Sequence, residues 1–131
     1  MESLRTALLV AGGGAAGSLA RWAASEWFRA RLGTRFPWGT LAVNLAGCLA
    51  IGCVLTLLGE KSPDDRPWRP LLVVGFLGGF TTFSAFGWEA AGLLGGREWT
   101  RAAAYLLGSV ALGLLAVRAG VALGRATGGS P

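Results

Sequence analysis

A chain of 131 residues that is 53% hydrophobic and only 15% charged, with a mean hydropathy of +0.53, lacks the polar surface of a soluble domain, which is usually about a quarter charged. Its net charge of +5 and pI near 10.6 draw anions, either a small ion or lipid headgroups; no nucleic-acid partner is expected. With no histidine and only two cysteines, the composition suggests neither a metal cluster nor a disulfide framework.

A helix crosses the hydrocarbon core with about 20 mostly apolar residues. Four stretches of this sequence qualify, at residues 4–27, 38–58, 70–94 and 100–124. The expectation is one all-α, four-span membrane domain over residues 1–131. In the first stretch Arg5 precedes an apolar run and Ser18-Leu19-Ala20 resembles a cleavage site, but apolar character continues to Phe28, which suits a spanning helix better than a signal peptide. Gly12, Gly14 and Gly17 spell GxGxxG. That pattern needs a strand, a soluble βαβ unit and an acidic residue about 20 positions on. Tight helix contact explains the glycines better.

In the second stretch Thr40 and Asn44 share a helical face, with Gly47 one turn on. Asn44 places a carboxamide with two donors and an acceptor at mid-membrane depth, where polar side chains mark function or helix association. Cys48 and Cys53 point in different directions around the helix and read as small apolar fillers. The third stretch holds Gly78, Gly79, Thr81, Thr82 and Ser84 in its middle, interleaved with Phe76, Phe80, Phe83 and Phe86. A span weakened there must re-satisfy its backbone against protein, ions or a watery cavity, so a break is expected, and such breaks bind ligands. Glu89 falls late in this span. Trp88, inside it, is expected to pack. The fourth stretch aligns Tyr105, Ser109 and Gly113 on one stripe. Trp22, Trp27, Trp38, Trp68 and Trp99 fall near the span ends, where indoles prefer the headgroup layer.

Four spans return the C-terminus to the side of the N-terminus. Arg5, Lys61, Arg66, Arg69, Arg118 and Arg125 then lie on one side, and Arg21, Arg29, Arg31, Arg35, Arg97 and Arg101 on the other. Cytoplasmic loops normally carry the excess of basic residues that sets orientation. Here neither side has one, so the chain is expected to insert both ways and pair as an antiparallel homodimer.

The polar groups inside the spans are donors: the Asn44 amide, the hydroxyls and Tyr105. Without a mid-membrane carboxylate they suit an anion better than a proton or a metal cation. A phenylalanine ring adds a positive edge. The N-terminus of a half-helix after the break favours negative charge, and unwound carbonyls can hold a cation. A rival reading, a four-span multidrug transporter coupled to protons, wants a carboxylate deep in the membrane, whereas Glu26 and Glu89 sit toward span ends. A purely structural membrane protein would leave Asn44 and Phe83 without a purpose.

Gly39-Thr40-Leu41-Ala42-Val43-Asn44-Leu45-Ala46-Gly47, the run from Gly75 to Phe86 with its GGxTTFSxF element, and Gly14-Ala15-Ala16-Gly17 followed by Arg21 together resemble the signatures of the Fluc fluoride channels, also called CrcB proteins. The resemblance covers all four spans. It implies a fluoride-selective channel, not an enzyme, in the bacterial plasma membrane, built as a dual-topology homodimer with two pores. It implies a structural sodium ion held by the backbone carbonyls of Gly78 and Thr81 from both subunits. It also implies pore roles for Asn44, Phe83, Phe86, Ser84, Thr40, Tyr105 and Ser109, and an anion-attracting vestibule shaped by Arg21. The sequence departs from the pattern at Gly113, where relatives often carry another hydroxyl.

Overall fold

The computed structural model describes residues 2–58 and 68–127. Every regular element in them is helical: α1 (Glu2–Leu32), α2 (Trp38–Leu58), α3 (a π-helical stretch, Pro70–Leu77, closed by one α turn, Gly78–Phe80), α4 (Phe83–Gly95) and α5 (Trp99–Thr127). The connection expected at 59–69 lies, from 59 to 67, outside the described residues.

Turn chemistry explains the helix ends. α1 runs beyond Trp27 to Leu32 and stops at Gly33, whose φ of +76° only glycine adopts freely, with its N–H on the Arg29 carbonyl at 3.0 Å. α4 ends in a reciprocal cap: the Glu98 N–H reaches the Leu93 carbonyl at 2.9 Å and the Arg97 N–H reaches the Leu94 carbonyl at 3.0 Å. This geometry puts Arg97 in the left-handed region, φ 59°, where glycine is the usual occupant. Arg29 pairs with Glu26 and Arg101 with Glu98, each within one helical turn near these ends.

Two helix pairs organise the chain, α2 along α5 and α1 along α3. Hydrocarbon supplies no hydrophobic drive between helices, so close backbone approach through small residues carries the association. On α1 the closest contacts are at Gly13 and Gly17, where an added Cβ would overlap the carbonyls of Leu71 and Phe76; Gly75 and Gly79 answer from α3. This corrects the grouping drawn from the sequence. Gly12 has open space in front of it, whereas the Gly14 backbone lies against Gly79, whose added Cβ would meet the Gly14 carbonyl at 2.5 Å; of the three glycines grouped from the sequence, Gly14 and Gly17 sit in the contact and Gly12 does not.

Between them, α2, the α3–α4 unit (Pro70–Gly95) and α5 account for three helices long and apolar enough to cross a membrane. α1 is not among them. Its 31 residues extend about 46 Å, more than the roughly 30 Å hydrocarbon core, but its glycines, Arg5, Arg21 and Glu26 dilute its apolar character. Leucines on the outer surface are widely exposed, among them Leu8, Leu107 and Leu114, as lipid contact requires. Trp88 is 81% exposed, so the expected packing is not found within the subunit.

Candidate ion-conduction site

Thr81 (φ −89°, ψ 158°) and Thr82 (φ −152°, ψ 125°) are extended, and these two residues are the break between α3 and α4. Asn44 holds it open. Its Nδ2 donates to the Thr82 carbonyl at 2.9 Å and its Oδ1 accepts the Thr82 N–H at 2.8 Å. In a continuing helix that N–H would close on the carbonyl of Gly78, four residues back; diverted to Asn44, it leaves the Gly78 carbonyl without its helical donor. The next carbonyl, Gly79, is taken instead by Arg21 Nε at 3.0 Å. Thr81 donates its hydroxyl to the Leu77 carbonyl at 2.9 Å. The Thr82 hydroxyl accepts the Ala85 N–H at 3.2 Å and caps α4, with Ser84 Oγ 3.2 Å away.

Beside the break opens a cleft of about 430 Å³, lined by Asn44, Gly78, Thr81, Phe83, Phe86 and Ser109 among others. Phe83, 82% exposed, and Phe86 have ring centroids 5.5 Å apart. Ser109 Oγ is buried and has no hydrogen-bond partner among the described residues. The cleft therefore combines a carboxamide, an unpartnered hydroxyl and two aromatic rings.

Thr40 and Tyr105, expected in the same constellation, stand elsewhere. The Thr40 hydroxyl donates to Glu89 Oε1 at 2.8 Å and the Tyr105 hydroxyl to Glu89 Oε2 at 2.7 Å, so both are committed to a carboxylate instead of being open donors. Tyr105 is fully buried, with Phe36 and Phe86 packed on its ring at centroid distances of 5.5 and 5.1 Å. Thr40 and Glu89 also line a second cavity, about 300 Å³, at the end of the bundle with Glu26, Arg29 and Trp38. Phe86 is the link: it packs on Tyr105 and lines the larger cleft. The end cavity and the larger cleft share no lining residue; Tyr105 and Phe86 stand between them. Arg21 and Ser84 flank the break without lining that cleft. Sequence reasoning left Glu89 without a role; its one signal was a carboxylate on the helix that carries the pore-like phenylalanines.

The family model described as "CrcB-like protein, Camphor Resistance (CrcB)" matches residues 8–121. The chain belongs to the CrcB family. Among CrcB relatives, a protein of Chloroflexus aurantiacus named "Fluoride-specific ion channel FluC" is 48% identical over 93% of this chain and 97% of its own length. One of Solibacter usitatus with the same name is 50% identical over 90% of this chain and 97% of its own. A third, of Rhizobium leguminosarum bv. trifolii, is 48% identical over 92% and 96%. With three helices able to cross a bilayer among the described residues, this CrcB member is a multi-pass membrane protein.

Proposed function

We propose that this CrcB-family chain is a fluoride-selective channel that lets fluoride leave the cytoplasm passively across the plasma membrane and so lowers its concentration there. The observation that carries the reading is the convergence of Asn44, Ser109, Phe83 and Phe86 on one cleft beside a broken helix, in a chain whose near-full-length relatives are named for fluoride conduction. Fluoride is small and strongly hydrated, so a narrow path must replace its water with donors, and larger anions fit worse and gain less. Transit also needs several weak sites in series. A single hydroxyl, one carboxamide N–H and the positive edges of phenylalanine rings meet that condition.

The pore is completed by a second copy inserted the opposite way. Phe83, Ser84 and Trp88 are exposed beside the break, and a partner laid across them converts the open cleft into an enclosed path. The even division of basic residues supports antiparallel pairing. A sodium ion at the centre fits the backbone found there. The Gly78 carbonyl has lost its helical donor to Asn44 and, with that of Thr81, would supply this chain's half of an all-oxygen ligand set; when bound, the cation supplies positive charge that balances the carbonyl dipoles of the two breaks.

The direct test is efflux from proteoliposomes loaded with fluoride or chloride. Rapid fluoride loss with chloride retained, independent of a pH gradient, is the expected result. Vesicles that hold fluoride as tightly as protein-free ones end the reading, and flux that requires a pH gradient turns it toward a proton-coupled transporter.

A further inference from the structure

We propose that Cys48 is a wall residue of the ion path, its thiol acting beside Ser109 as a weak donor to the passing anion. The inference rests on the channel reading above and assigns a role to a residue read from the sequence as inert filler. On α2, Cys48 stands one turn after Asn44; on α5, Gly113 stands one turn after Ser109. Asn44, Cys48 and Ser109 all line the 430 Å³ cleft. Among the described residues, only Cys48 Sγ lies within 4 Å of the point a Cβ on Gly113 would occupy, at 3.6 Å. At two other points between α2 and α5 the glycines admit backbone: Gly52 lies against the Val117 carbonyl and Gly120 against that of Leu49. Gly113 instead faces the Cys48 side chain, at ordinary van der Waals distance.

Ser109 supplies the independent observation. Hydroxyls on membrane helices commonly turn back onto the carbonyl four residues earlier, as Thr56 does on Gly52 at 2.7 Å and Thr81 on Leu77 at 2.9 Å. Ser109 does not, and its sealed oxygen has no partner among the described residues. A buried polar group left unpaired calls for a ligand or a role, and a turn of the Ser109 side chain toward the cleft that it lines would let an anion there accept its proton. The thiol, which lines the same cleft, is a weaker donor than an alcohol, which loosens the ion's hold at this step and suits conduction. It also gives the path a soft ligand, a property that a wall of hydroxyls lacks.

Silver ion reads that property. Binding forms one S–Ag bond as the thiol loses its proton to water, and the bound cation plugs the path. Fluoride efflux from proteoliposomes in chloride-free nitrate buffer should stop on adding Ag⁺ to the parent protein and to Cys53→Ala. Cys48→Ser should still conduct, more slowly than the parent because its hydroxyl holds the ion more tightly, and should resist silver; Cys48→Ala should also resist silver and conduct several-fold more slowly than the parent. A conducting parent indifferent to silver, a block that follows Cys53, or Cys48→Ala at the parent rate overturns the inference. A parent that passes no fluoride at all ends the channel reading instead.

Discussion

At the scale of single residues, Asn44 does two things with one side chain. Its carboxamide replaces a turn of backbone hydrogen bonding at Thr82 and lines the cleft. Asn44→Asp keeps the acceptor for the Thr82 N–H but sets a carboxylate oxygen against the Thr82 carbonyl where a donor stood. Loss of such a partner costs about 1–3 kcal/mol, and a barrier raised by that much slows transit by about 5- to 150-fold. The expected outcome is fluoride efflux reduced at least that far, together with a lower unfolding temperature in detergent. From the sequence alone the same substitution would be expected to spare assembly, because only the donor count was legible; the bidentate bond to Thr82 comes from tertiary placement. Glu89 makes the same point. Nothing in its local sequence says that Thr40, on another helix, and Tyr105, on a third, will give their hydroxyls to it.

At the scale of elements, the helices were readable because their signals are long: apolar runs bounded by Gly33, Trp38 and Trp99, and a glycine- and threonine-rich interruption at 78–82. The glycine contacts were readable only in kind. Motif spacing suggested Gly12, Gly14 and Gly17, whereas the helix face that meets α3 carries Gly13, Gly14 and Gly17, a choice that depends on how α1 rotates against its neighbour. The difference is measurable. Gly17→Val would drive its side chain into the Phe76 carbonyl, while Gly12→Val meets open space. Overpacking a close contact costs about 1–3 kcal/mol or more. Gly17→Val is therefore expected to lose its monodisperse peak in size-exclusion chromatography and to aggregate on mild heating, and Gly12→Val to elute as the parent does. Equal behaviour of the two would mean that α1 packs through a different face.

At the scale of the whole molecule, the proposed channel requires that something cover the open cleft and the exposed Phe83 and Trp88 beside it. The proposed cover is an inverted copy, permitted because Arg5, Lys61, Arg66, Arg69, Arg118 and Arg125 balance Arg21, Arg29, Arg31, Arg35, Arg97 and Arg101. Orientation follows the excess of basic residues in short loops, so the balance can be tipped by hand. Three lysines added beside Arg97 should bias every copy one way, and three added after Arg125 the other. Each biased variant expressed alone is expected to reach the membrane and conduct no fluoride, because two like-oriented subunits cannot bring the two breaks face to face about an in-plane axis. Co-expressed, the two should restore efflux. Full conduction by either variant alone would remove the requirement for inverted copies and leave the path to be completed by a parallel pair or by lipid.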